Sequence, residues 1–119
     1  MPLHQTMNAT VNTEKNATIF ALQGRLDSNS APQFERQLTA FLNTPAGHLV
    51  FDCHDLDYIS SAGLRVILNI AKAYSACPFR FVACALQDHV LEVFEISGFD
   101  SFITIEDSVD ECLTQLTTP

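Results

Sequence analysis

The sequence predicts one α/β domain: a mixed, mostly parallel β-sheet with about four helices. Three observations carry that prediction. Strand-like and helix-like segments alternate in the order β-β-α-β-α-β-α-β-α, which implies parallel crossovers after an opening strand. The segment "FRFVACAL" at 79–86 is apolar without alternation, the pattern of a strand buried on both faces. The chain of 119 residues is 47 % hydrophobic and 17 % charged. That is a globular balance, and the length suffices to bury roughly 65 % of the unfolded surface without metal or disulfide. The expected domain spans residues 8–116, with 1–7 a flexible N-terminal end and 117–119 a C-terminal end.

Each element has its own signal. "NATVNTE" and "ATIFALQG" are the opening strands, and Lys15 and Asn16 suit a hairpin turn between them. In "RLDSNSAPQFERQLTAFLN", Ser30 and Gln33 form a capping-box pattern. Pro32 falls in the first turn, where its missing N–H does no harm. Phe34, Leu38, Phe41 and Leu42 repeat on a helical period, and Pro45 and Gly47 end that helix. "HLVFDC" reads as a short apolar strand and "HDLDYIS" as a polar connection. The second helix follows, with Leu64, Val66, Ile67, Leu68, Ile70, Ala71 and Tyr74 on a broad apolar face and Arg65, Asn69 and Lys72 opposite. After the apolar strand, "DHVLEVFEISG" reads as a short helix with Asp88 as N-cap and Gly98 as C-terminal glycine. "SFITI" is the last strand. Ser108 and Glu111 then form a second capping box, ahead of a stripe of Val109, Cys112, Leu113 and Leu116. Phe79, Phe81, Phe94, Phe99 and Phe102 are expected in the core.

Composition excludes several functions. Net charge is −8, from 14 acidic and 6 basic side chains, with no Lys/Arg cluster. Nucleic acid and anionic membrane surfaces are therefore poor partners, and a protein with a basic face is a better one. No apolar run reaches the ~18 residues that a membrane helix needs. The polar start "MPLHQTMNATVNTEKN" lacks the pattern of a secretory signal, so the expectation is a cytoplasmic protein. The four cysteines, Cys53, Cys77, Cys84 and Cys112, form no CxxC pair and are expected as reduced thiols. Asp52, Cys53, His54 and Asp55 are consecutive on or near a strand end, where side chains alternate faces, so they cannot converge on one metal ion. No metal and no cofactor are expected.

The chemistry concentrates in "YISSAGLRVILNIAKAY" (58–74), where two serines and a glycine head the most hydrophobic helix. Serine is a preferred N-cap, so a structural role alone is one reading. Gly63, however, weakens a helix by roughly 0.5–1 kcal/mol relative to Ala, and that needs a reason. With Ala62 small as well, one reason is to leave the surface clear for a partner. Helix N-termini present free N–H groups and the positive end of a dipole, which welcome a phosphate on serine. A nucleophile elbow is the catalytic alternative, since "ISSAG" centres Ser61 and has Gly63 in place. Ile59 stands where its first glycine belongs, and His89, the only later histidine, has Asp88 as its immediate neighbour. No enzyme is expected.

"DLDYISSAGLRVILNIAKAY" resembles the signature of the STAS-domain anti-sigma-factor antagonists, also called anti-anti-sigma factors. "LQGRLDSNSAP" is similar to a second landmark of that family and "VFEISGF" to a third, in the same order along residues 8–116. The resemblance implies a single STAS domain whose phosphoacceptor is the serine two positions before the glycine, Ser61, with Ser60 as second candidate. Ser60 stands where many members carry aspartate, and Ala62 where many carry Ser or Thr. Gly63 and Leu64 match the turn, and Asp27 matches an aspartate that lies near the acceptor. Ser28 and Asn29 beside Asp27, together with Ser60, Ala62, Gly63, Leu64 and Arg65, are the expected partner-binding residues.

The implied mechanism is partner switching. The unphosphorylated domain binds an anti-sigma factor that is also a serine kinase with a Bergerat-type ATP site. Phosphorylation releases it, and a metal-dependent serine phosphatase resets the cycle. The alternative is a constitutive STAS adaptor or scaffold subunit of a transporter, lipid-trafficking or signalling complex.

Overall fold

Five strands form one sheet in chain order, β1-β2-β3-β4-β5, in a computed structural model that describes residues 7–14, 17–43 and 47–117. The elements are β1 (Met7–Glu14), β2 (Ala17–Leu26), α1 (Ala31–Asn43), β3 (His48–Ile59), α2 (Ser61–Ser75), β4 (Phe81–Cys84), α3 (Asp88–Ile96), a 3-10 turn (Phe99–Ser101), β5 (Thr104–Glu106) and α4 (Val109–Thr117). β1 runs antiparallel to β2, and every later pair is parallel. The mixed, mostly parallel sheet with four helices is as the alternation predicts.

The order explains the layers. From β2 to β5 each crossover steps the same way along the sheet, and crossovers are right-handed, so α1, α2 and α3 fall on one face. That face buries Phe34 and Leu38 of α1, Leu64, Ile67 and Ile70 of α2, and Val90 and Phe94 of α3 against Phe20, Leu22, Phe51 and Phe81. α4 follows the last strand and returns over the other face, where Cys112 and Leu113 cover Ile19, Val50, Val82 and Cys84. β4 is thus buried on both sides, which is why its sequence does not alternate.

Several expectations change in detail. The predicted polar connection "HDLDYIS" is mostly strand: β3 continues to Ile59 and pairs with β2 as far as Leu26. Register shifts at Ala21/Gln23 and Gly24/Arg25 each place an extra residue on β3, so Cys53, Leu56 and Ile59 are buried at a spacing of three instead of two. Gly24 takes φ 98° at the second shift, a conformation that favours glycine. The N-cap of α3 is Gln87 and not Asp88, which is the first helical residue. Gly98 ends that helix at φ 79°, as expected. Phe102 is not core; it is 70 % exposed, at the C-terminal end of an unpredicted 3-10 turn.

Ser30 and Gln33 do not form a capping box. Ser30 is buried and its hydroxyl donates to the Arg25 carbonyl at 2.7 Å instead. Ser108 does cap α4, accepting from the Glu111 N–H at 3.1 Å, while the Glu111 carboxylate accepts from Asp107. The hairpin turn at Lys15 and Asn16, and the side chains of Phe41 and Leu42, lie outside the described residues.

Candidate functional site

Leu26 ends β2 opposite Ile59 at the end of β3, so the turn after one strand and the helix after the other emerge side by side. The Ser60 N–H donates to the Leu26 carbonyl at 2.9 Å and ties the two together. Ser60 then caps α2. Its backbone is extended, at φ −99° and ψ 176°, and its hydroxyl accepts from the Gly63 N–H at 3.3 Å. The Leu64 N–H reaches the Ser60 carbonyl at 2.9 Å, closing the first helical turn. Ser61 is the first residue of α2 and is exposed.

Beyond Ser61 the side chains divide by the helical period. Ala62 is half-buried and Arg65 exposed, while Gly63 and Leu64 are buried. Gly63 is glycine for packing. A Cβ there would meet the Leu26 carbonyl oxygen at 2.7 Å, Leu26 Cγ at 2.8 Å and Ile59 Cγ1 at 2.9 Å. The expectation that it clears the outer surface is replaced: the clearance it provides faces inward, toward the end of β2. Leu64 likewise belongs to the core beneath the helix head.

The turn 27–30 is built on the Asp27 carboxylate. Its Oδ1 accepts from the N–H groups of Asn29 at 3.0 Å and Ser30 at 3.1 Å, and lies 3.4 Å from the Ser30 hydroxyl, whose shorter contact is to the Arg25 carbonyl. The Asp27 N–H in turn donates to the Ser30 hydroxyl at 3.0 Å. Desolvation pushes the Asp27 carboxyl up, but the hydrogen bonds from Ser30 and Asn29 and the Arg25 charge outweigh it and hold the group below its ordinary 3.8. Asp27 is therefore an anion that shapes the turn. Ser28 and Asn29 project from it and are exposed.

A shallow groove of about 170 Å³ joins the two segments. Ser28, Pro32 and Glu35 line one wall, and Ala62, Arg65 and Asn69 the other. The structure thus brings Asp27, Ser28, Asn29, Ser60, Ser61, Ala62 and Arg65 to one end of the sheet, with Gly63 and Leu64 below them.

Two residues beside the turn were not legible in the sequence. The Arg25 guanidinium stacks over the Tyr58 ring at 4.1 Å from its centroid, and its Nε lies 3.7 Å from Asp27 Oδ2. Arg25 and Tyr58 are register partners, a pairing visible only once β3 is known to extend past Cys53. His89, the histidine of the catalytic alternative, instead meets the Asp57 carbonyl at the head of α3.

The STAS domain profile matches residues 8–112. The chain belongs to the STAS-domain family of anti-sigma factor antagonists. BtrV of Bordetella bronchiseptica, which bears a provisional name as an anti-sigma factor antagonist, is 42 % identical over 102 residues, 86 % of this chain and 88 % of BtrV. Among solved structures, a Thermotoga maritima protein assigned in the same provisional way is similar at TM-score 0.87 and 22 % identity, covering 92 % of this chain and 95 % of that one. The Bacillus anti-sigma factor antagonist SpoIIAA has been solved in unphosphorylated and phosphorylated forms. Both match at TM-score 0.71, with 14 % and 15 % identity, over 91 % of this chain and 96 % and 98 % of theirs. The structural likenesses show the fold.

Proposed function

We propose that this chain is the switched component of a partner-switching pathway, with Ser61 as its phosphoacceptor. One observation carries the assignment to Ser61 over Ser60. The Ser60 hydroxyl is committed to the Gly63 N–H as the cap, whereas Ser61 is exposed one residue further on. A phosphate on Ser61 adds about −1.5 to −2 charge beside the positive end of α2, where the fold tolerates it. The same charge lies at the centre of a surface that a partner must desolvate, so it disfavours the complex.

In this reading the unphosphorylated form binds an anti-sigma factor that is also a serine kinase of the Bergerat ATP-site type. Ser28, Asn29, Ala62 and Arg65 form the contact around Ser61, Asp27 shapes it, and Gly63 and Leu64 seat it from below. Phosphorylation releases the kinase, and a metal-dependent serine phosphatase restores the binding form. The chain is substrate and ligand in this cycle, acts in the cytoplasm and catalyses nothing. That SpoIIAA exists in a phosphorylated form supports the reading by analogy of fold.

The test is phosphosite mass spectrometry on protein isolated from its own cells, beside a Ser61→Ala control. Phosphate at Ser61, lost in the control, is the expected result. Phosphate at Ser60 would reverse the two roles. No phosphate at either serine under any growth condition would overturn the switch and leave a constitutive adaptor. Arg65→Glu should weaken partner binding; unchanged affinity would remove Arg65 from the contact.

A further inference from the structure

β5 ends the sheet. It pairs with β4 through Val82↔Thr104, Ala83↔Ile105 and Cys84↔Glu106, and no strand lies on its other side among the described residues. Such an edge offers unpaired N–H and C=O groups to an added strand. Beside it lies an open groove of about 570 Å³ formed by α3, the 3-10 turn and β5. Leu91, Phe102 and Ile105 give it apolar walls, and Glu95, Asp100 and Asp107 give it charge. Among the described residues no Lys or Arg lines it. Phe102 is 70 % exposed, so the fold gains little from having phenylalanine there.

We propose that this edge is a docking site for an extended, basic segment of a partner protein. The segment adds a strand beside β5, sets an apolar side chain against Phe102, and directs Lys or Arg side chains at Glu95, Asp100 and Asp107. Charge decides the occupant. A second copy would bring the same three carboxylates and a net charge of −8, so self-association through this edge is opposed. A basic segment gains from the same field. β4 separates β5 from β3, whose end leads into Ser61, so this contact is distinct from the proposed switch surface and does not depend on it.

The probe is a pair of synthetic peptides of about ten residues, one alternating Lys with Val and the other Glu with Val, titrated into the ¹⁵N-labelled full chain. The Lys peptide is expected to shift the amides of Phe102 and Thr104–Glu106, and the Glu peptide to leave them in place. Phe102→Ala, at an exposed position that the fold does not need, should weaken the Lys peptide about tenfold. Asp100→Lys should weaken it as well, and raising salt from about 50 to about 300 mM should too, because exposed charges are screened. Ser61→Asp should leave the affinity unchanged, which separates this inference from the phosphoacceptor assignment. The proposal is overturned if neither peptide shifts these amides, if both do equally, or if Phe102→Ala has no effect. Concentration-dependent shifts of the same amides without peptide would also overturn it, in favour of a second copy.

Discussion

Gly63→Ala separates two explanations of the helix head. If Gly63 exists to let a partner approach, alanine should stabilise the free protein, because Ala exceeds Gly in helix propensity by about 0.5–1 kcal/mol. The packing predicts the reverse. The added Cβ would lie within 3.0 Å of three atoms, at 2.7 Å from the Leu26 carbonyl oxygen and 2.8 and 2.9 Å from Leu26 Cγ and Ile59 Cγ1. The first of these is backbone and cannot rotate away. It is also the acceptor of the 2.9 Å bond from the Ser60 N–H, so relieving the clash loosens the tie between β2 and the head of α2. Overpacking of this kind costs about 1–3 kcal/mol. Set against the propensity gain, the net loss is about 0–2.5 kcal/mol and centres near 1 kcal/mol. In a domain of this size the central value lowers Tm by roughly 3–6 °C. Urea unfolding followed by circular dichroism measures it directly, with an unchanged slope expected because the exposed surface is the same. A midpoint equal to or above that of the parent protein would refute the packing argument and return Gly63 to the outer surface.

Three further outcomes follow from the same geometry. Ser60→Ala removes the α2 cap and should cost about 1 kcal/mol, while Ser61→Ala should stay within about 0.5 kcal/mol; equal losses in urea unfolding would contradict the division between them. The Asp27 carboxyl is held below its ordinary 3.8 in the folded state, so its contribution is fully present above the unfolded value and is lost as pH falls through 3.8 toward the folded one. Stability measured across that acid window should fall less steeply in Asp27→Asn than in the parent chain. Of the four thiols, Cys77 is partly exposed and Cys53, Cys84 and Cys112 are buried, and burial raises the Cys53 thiol well above its usual range. A thiol reagent should therefore label Cys77 in the native state and the other three only on unfolding, as peptide mapping would show.

What the sequence disclosed follows from which signals are local. Helix faces and terminal glycines are local, so α2 and α3 were legible, as was Gly98 as the stop of α3. The doubly buried β4 announced itself by lacking alternation. β3 was legible only to Cys53, because its two register shifts stretch the buried spacing from two to three and make Leu56 and Ile59 look like residues of a loop. That misreading hid the Arg25–Tyr58 pair, which needs the extended strand to exist. Ser30 misled for a different reason. Its spacing to Gln33 is that of a cap, but the Asp27 turn competes for its hydroxyl, and that competition is settled by the fold of residues 25–30 together. Ser60 and Ser61 stood out because two hydroxyls head the most hydrophobic helix, whereas Asp27 became a site candidate only through the resemblance to the STAS landmarks. The inward role of Gly63 was not legible, since it depends on how close Leu26 comes.

In the proposed reading, with Ser61 as phosphoacceptor, the adjacent serines separate two duties. A cap must keep its oxygen aimed at a backbone N–H, as Ser60 does toward Gly63. A phosphoacceptor must instead present its hydroxyl outward to a kinase and a phosphatase. Ser60 is the less available of the two, since its hydroxyl is turned to the Gly63 N–H while Ser61 is exposed. Aspartate, which the resemblance expects at position 60, caps as well as serine does, so the serine found there preserves the cap even though it departs from the pattern. With the cap secured by Ser60 and the backbone held to Leu26, a charge arriving at Ser61 meets a helix head that is already fixed in place. The change such a charge makes is then one of local electrostatics and shape. On this argument amide exchange should alter around residues 27–29 and 60–65 and stay constant through β3 and β4. Broad changes across the sheet on phosphorylation would mean that the helix head is not fixed and that the switch works by refolding.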